Sequence, residues 1–518
     1  MIQPRQYYLS STPPETVADG YRSLSVGEWH LVFDDSFDSV PVVVGDDHVG
    51  HVIGTILDVQ DRCEEGELRL DDANTNADAD ASADPDANAN ADAAPDTNAS
   101  PDPLTAAFRE ALFGFAGHYL GFIEAEGPSV FTDSIGGCPV VYEPNEGVVG
   151  ATPAALPGVD HRARFRSDLF DRLNYDYEYI FVPGKYTYYS GVQRLLPNHR
   201  LDLRTWETTR CWPDPESIST CDETTAVAEF VGTTLRSIFE EIVSTYEKPV
   251  TALTAGHDSR TLLAGARPWL VDGKIGTVTW DTGRPVDVDV DVARKLSAGY
   301  DFDWTPVPVV TATESEKQRW LEQTAHVVGG NIMNVHPTLE TFDADLHANG
   351  FGGALARGKY WTESDEPDTS FSTSELLYRL HRSEDPVLEE AIEDWYASVS
   401  EFDAYTQLDL MFQELRLGCW AGPHFPGLSQ HRDVVSPLSY YPILRALHRL
   451  APAVRRNGTI QYVIIDRFWS ELNEHPYNIY ADWRDYVRKA KDLQFRTRFA
   501  LHRPRLAYSF VSRKLVGK

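Results

Sequence analysis

The sequence predicts an α/β fold: a β-rich domain, then a parallel sheet with helices on both faces, then a helical C-terminal part. Three observations carry that expectation. Short alternating runs such as "EWHLVFDD" (28–35), "VGHVIGTILDV" (49–59) and "GHYLGFIEA" (117–125) read as half-buried strands, and such signals continue to Leu203. The period then changes, because Val227, Val231, Leu235, Ile238 and Ile242 recur at helical spacing, with residues 222–225 as capping candidates. Thereafter "KPVTALTA", "DSRTLLAGARPWL", "KIGTVTW", "DVDVARKLSAGY" and "DWTPVPVV" alternate strand with helix, the order of a parallel sheet.

Taken in order, "PSVFTDS", "CPVVYEP" and "YIFVPGKYTYYSGVQRLLPNHRLDL" add strands and turns to the first domain. The Pro- and Asp-bearing segment "CWPDPESISTCDETT" places a boundary near 212–222, separating a domain at 1–215 from one at 222–518. Beyond Ser372, "SELLYRLHRS", "VLEEAIEDWYASV", "YTQLDLMFQELRLGCW", "YYPILRALHRL" and "IQYVIIDRFWSEL" all show helical periodicity. Inside the first domain, residues 71–103 are mostly Asp, Asn, Ala and Pro with no aromatic or basic residue. They read as a disordered acidic insert, since such a composition offers little apolar surface to bury.

A chain of 518 residues with net charge −33 has ample length for several cores and an acidic surface of the salt-adapted, halophilic kind. That surface repels phosphate backbones, so nucleic acid is not an expected partner. The five cysteines form no CxxC pair and read as free thiols in a reducing compartment. The N-terminus has no apolar signal-like region and no stretch reaches the roughly 18 apolar residues of a membrane span, so a cytoplasmic protein is expected.

The chemistry concentrates in "LTAGHDSRTLLAG", residues 253–265, where a strand signal turns into a helix signal. At such a corner the first helical turn points unpaired N–H groups and its positive dipole end outwards. Gly256 permits close approach of an anion, Thr254 and Ser259 offer hydroxyls, and Asp258 offers a carboxylate for a magnesium ion bridging phosphate oxygens. The pattern suits a triphosphate or pyrophosphate, although it is neither GxxxxGK[ST] nor GxGxxG. An ordinary turn in which Asp258 and Ser259 cap the helix is the other reading of the same residues.

"LTAGHDSRTLL" resembles the SGGxDS pyrophosphate motif of the asparagine synthetase family, with Thr254 and Ala255 replacing its first Ser and Gly, and Gly256, Asp258 and Ser259 retained around the variable His257. "VFTDSIGGCPVVY" resembles that family's D-x-x-G-x-x-P-L-Y-Y segment, "VGATPAAL" its following strand and turn, and "YIFVPGKYTYYSGVQRLLPNHRLDL" its f-v-P-x-x-x-T-x-f-x-G-I-x-R-L-x-P-G-H-x-L stretch. The resemblance implies an Ntn-hydrolase-like αββα sandwich followed by a Rossmann-like PP-loop synthetase domain. It also implies ATP and Mg2+ as cofactors and adenylation of a small-molecule or peptide carboxylate for attack by ammonia or an amine.

The chain departs from the family at two places. Ile2 stands where the family has a cysteine nucleophile, and no N-G-E segment is present, so glutamine hydrolysis is not expected. The family's second pyrophosphate segment, G-E-G-A-D-E-L-F-G-G-Y, corresponds to "GFGGALARGKY" (350–360), with Phe351, Ala354 and Leu355 in place of its three acids. Asp258 is then the one acid these motifs offer to a metal. The resemblance implies nucleotide contact by residues 254–259 and by Gly350, Gly352 and Gly353, with Asp258 in a catalytic role; Arg357 as a cofactor contact and Lys359 as a catalytic residue are candidates by their own charge, in compensation for the missing acids. Arg357 and Lys359 are candidates to contact phosphate oxygens directly, or else face solvent.

Other features are weaker. Asp287, Asp289 and Asp291 either reach the nucleotide's edge or form a solvated helix start, and His326, His336 and His347 have no metal-ligand spacing. The basic, aromatic end from Arg498 suits an acidic partner, a membrane surface or the protein's own acidic face. Two functions remain open: an ATP-dependent amide-forming ligase, and a degenerate relative that binds nucleotide or a partner without chemistry.

Overall fold

Alternation sorts the strands of the N-terminal part into two sheets that share a core. In the computed structural model, which describes residues 4–70, 103–124, 127–173, 179–213, 223–283, 287–329, 332–456, 458–480 and 485–486, a six-stranded antiparallel sheet centres on Tyr7–Ser10, Val148–Gly150 and Trp29–Asp34. An eight-stranded sheet centres on Ala116–Glu124, paired with Asp47–Leu57 and Pro128–Thr132. Every second residue points inward, so Tyr7, Leu9, Leu31 and Phe33 meet Ile53, Leu120, Phe122 and Val130 in one buried cluster. The helix Pro103–Leu112 covers the outer face of the larger sheet through Phe108, Ala111 and Leu112.

The expected acidic insert, the linker at 214–222, Ile2 and the basic tail from Arg498 lie outside the described residues, except that Pro103 opens a helix instead of closing the insert. The four described cysteines are free, and among the described residues no helix is long and apolar enough to cross a membrane.

The C-terminal half is built on a parallel sheet of five strands: β1 (Pro249–Ala252), β2 (Gly276–Asp281), β3 (Trp304–Pro308), β4 (Leu346–Ala348) and β5 (Asp433–Val435). Their spatial order is β3-β2-β1-β4-β5, every neighbour parallel. The helix Thr224–Thr245 buries the predicted stripe of Val227, Val231, Leu235, Ile238 and Ile242 against the helices His257–Val271 and Thr459–Trp469. Glycine makes that approach possible, since a Cβ on Gly265 would lie 2.6 Å from that of Leu235 and one on Gly232 would lie 2.1 Å from the Phe468 ring. On the sheet itself Val250, Val278 and Val307 form a small separate cluster with Phe342.

The largest departure from expectation is β5, a strand between two helical runs in the region read as rich in helical periodicity. Both β4 and β5 are only three residues long, too short for a period to register. The run read as one helix at 405–420 is α-helical over Ala404–Leu410 and continues as a π-helix over Met411–Ala421.

Buried polar contacts join the two halves. The Asp133 carboxylate accepts the N–H groups of Ile135, Gly137 and Cys138, which shapes the "DSIGGCP" turn. A Cβ on Gly422 would lie 2.2 Å from the Gly136 carbonyl oxygen, so the π-helix end rests directly on that turn. Fully buried Glu414 accepts hydrogen bonds from Arg210, Asn198 (2.9 Å) and Trp395 (2.8 Å). Asp433, at the start of β5, pairs with Arg5 at 2.5 Å and accepts from Thr55 and Tyr246.

Candidate functional site

Strand order positions the site. The sheet's order reverses between β1 and β4, and in an open parallel sheet the carboxyl ends of such strands leave a crevice between loops departing in opposite directions. The loop after β1 carries 253–259 and the loop after β4 carries 349–357. The two segments singled out in the sequence therefore meet, although far apart in the chain.

The first loop is closed largely upon itself. Ser259 Oγ lies 2.9 Å from Thr254 Oγ1 and accepts the Thr254 N–H at 3.2 Å, while the Gly256 N–H donates to Thr254 Oγ1 at 3.2 Å. The Ala255 N–H donates to Asp289 Oδ1 at 2.8 Å, so Asp289 buttresses the loop from the next helix. Asp287 caps that helix and Asp291 pairs with Arg294. The hydroxyls of Thr254 and Ser259, expected to face an anion, thus hold the turn. What the loop presents is the first turn of the helix His257–Val271, whose N-cap Gly256 leaves it without a side-chain cap.

Asp258 and Arg357 form the centre of the crevice. Arg357 Nη1 donates to Asp258 Oδ1 at 2.6 Å and Nη2 to Oδ2 at 3.1 Å, a two-pronged pair. Gln461 bridges it, donating to Asp258 Oδ1 at 2.8 Å and accepting from Arg357 Nη1 at 2.6 Å. The glycines opposite leave room for this carboxylate: a Cβ on Gly350 would lie 2.9 Å from the Asp258 Cβ, and one on Gly353 would lie 2.5 Å from Oδ1. Gly352, at φ +94, turns the backbone against the Leu438 carbonyl. The acids' positions serve packing, with Leu355 fully buried and the Phe351 ring 6.1 Å from that of Trp420.

A magnesium ion does not fit this donor set. Both Asp258 oxygens are committed to Arg357, and no group of three or more acids, histidines or cysteines among the described residues is placed to hold a metal. Asp258, expected to hold a metal, instead has its charge neutralised here by Arg357.

Around the pair the chemistry is cationic. Lys359 lies at the end of the Gly353–Arg357 turn, exposed, its amine held below the usual range by partial desolvation and by Arg416 and Arg357. Burial, Lys359 and Arg416 together lower His381. Fully buried Arg455 fixes the turn, donating to the Leu355 carbonyl at 2.7 Å and to Asp409 at 2.5 Å.

Arg260, Gln461 and Tyr477 escaped the sequence reading. Arg260 is fully buried, donates to the carbonyls of Leu472, His475 and Pro476, and stacks on Tyr477 at 3.9 Å. It clamps residues 472–477 over the loop, where the Tyr477 ring stacks on His257 at 4.1 Å and the Asn478 N–H meets the Ala255 carbonyl. His257, expected to make backbone contact only, is thus a packing residue whose Nε2 lies 3.0 Å from the Tyr462 hydroxyl. The one signal available was a charge set within the apolar helix "DSRTLLAGA". The three histidines are dispersed: His326 contacts Tyr189 and Phe165, His336 stacks on Trp320, and His347 lies near Phe342.

The fold and crevice define a mixed α/β protein with an anion-compatible helix start at the reversal of a parallel sheet. No protein-family model matches the chain, and no curated protein matches it.

Proposed function

We propose that this protein is a degenerate relative of asparagine synthetase-type ATP pyrophosphatases. In this reading an Ntn-like sandwich without glutaminase chemistry supports a Rossmann-like PP-loop domain that binds the phosphate end of a nucleotide and does not adenylate a carboxylate. The observation that carries it is the Arg357–Asp258 pair, which places a guanidinium where metal-assisted chemistry requires a free carboxylate. The uncapped helix start at His257, with Arg357 and Lys359 beside it, supplies the donors and positive charge for phosphate oxygens.

Titration calorimetry with ATP in the presence of a chelator and again with magnesium tests this, alongside a pyrophosphate-release assay over a panel of carboxylates. The expected result is equal ATP affinity under both conditions and no pyrophosphate. Magnesium-dependent binding accompanied by pyrophosphate release overturns it in favour of the amide-forming ligase. That second reading is supported by one feature: Arg357 and Asp258 are 31% and 29% exposed, so the guanidinium can exchange its partner for a phosphate.

A further inference from the structure

A second cationic site lies on the N-terminal half, away from the crevice. Arg200 sits in the strand His199–Asp202, in register between Phe131 on one neighbouring strand and Thr209 on the other. Residues in such a row share a face, and Phe131 belongs to the apolar cluster beneath the helix Pro103–Leu112. An arginine therefore occupies a position where packing calls for an apolar side chain.

A cavity of about 110 Å3 opens there, lined by Arg109, Arg200, Arg210, Phe131, Thr209 and Cys211. The charges around it are unbalanced. Arg210 directs its terminal nitrogens to Glu414, and Arg109 directs its own to the half-exposed Glu110 and the Cys211 carbonyl. The half-buried Arg200 side chain has neither ion pair nor hydrogen bond among the described residues, and the buried Nε–H groups of Arg109 and Arg210 have no acceptor. Buried donors without acceptors are costly, and three arginines face two acids here.

We propose that this cavity binds a tetrahedral oxyanion, inorganic phosphate or the phosphate group of a small phosphomonoester. Three arginines, from a helix and two strands, line the cavity, Arg210 with its terminal nitrogens turned to Glu414. A planar carboxylate is saturated by a single fork, whereas a phosphate offers oxygens in three directions. A cavity of this size has room for a phosphate group.

The test is calorimetry on the full chain at constant ionic strength, with inorganic phosphate and glycerol 3-phosphate as probes. Arg357→Gln removes the crevice contribution, and in that background one phosphate is expected to remain bound. Adding Arg200→Gln is expected to weaken it by about tenfold to a hundredfold, and Arg200→Lys by less. Arg200 holds no other group in place, so cooperative melting should persist in both variants. Comparable affinity for the two probes identifies a monoester site, and preference for inorganic phosphate an enclosed one. Phosphate binding that is absent from the Arg357→Gln protein, or unchanged by Arg200→Gln, overturns the proposal without touching the reading of the crevice.

Discussion

Arg357 grips Asp258 through two hydrogen bonds of 2.6 and 3.1 Å, joining the loops after β1 and β4 across the crevice. The guanidinium is thereby both a candidate phosphate ligand and the partner of an acid that competes for it.

A change of sign follows for Asp258→Asn. In a metal site the amide weakens magnesium-dependent binding; here it frees Arg357 and is expected to tighten metal-free ATP or pyrophosphate binding by about tenfold. Calorimetry with a chelator present measures this. Arg357→Gln is expected to move affinity the opposite way, and loss of affinity in both variants would show that the intact pair, and not the arginine alone, forms the site.

Gly353→Ala is a test of space. Its Cβ would fall 2.5 Å from Asp258 Oδ1, so the carboxylate or the turn must shift. Overpacking of this kind costs about 1–3 kcal/mol. Denaturant unfolding should show that loss together with altered ATP affinity, while Gly299→Ala, where nothing lies within 4 Å of the added methyl, should leave both nearly unchanged.

Glu414→Gln examines the join between the halves. It leaves Arg210 without its buried counter-charge, for which a loss of about 3 kcal/mol is expected. Burial alone would raise the Glu414 carboxyl pKa, but Arg210 and Asn198 outweigh it and hold the group below its ordinary value. The unfolded chain therefore binds more protons at this residue. Its contribution is complete above the ordinary glutamate pKa and fades as pH falls through the lowered folded value. The wild-type advantage over Glu414→Gln in thermal melts should shrink over that acid range, and an advantage constant with pH would contradict the assignment.

His257 titrates in a more accessible window. Burial, with Arg357 nearby, lowers it from 6.5 to about 4, so the folded protein keeps it neutral where the unfolded chain takes up a proton. Its contribution is complete above 6.5 and is lost progressively as pH falls towards 4. His257→Phe preserves the stack on Tyr477 but cannot titrate, so melting curves should show the variant gaining on wild type across this interval. Parallel pH profiles would count against it.

The sequence by itself determined the local elements and their periods. The stripe from Val227 to Ile242 became a buried helix face, and the corner at Thr254–Ser259 became a strand-to-helix turn, because both signals are repeated within a few residues. The replacement of three acids at Phe351, Ala354 and Leu355 was equally legible. Two short strands were not, since three residues carry no period. Only the tertiary structure decided what Asp258 does: its partner Arg357 is 99 positions away and becomes a neighbour because β4 lies beside β1. Likewise Arg260 finds the Pro476 carbonyl 216 positions on. A carboxylate's role follows from the charge that reaches it first, and strand order, a property of the whole chain's packing, brings that charge there.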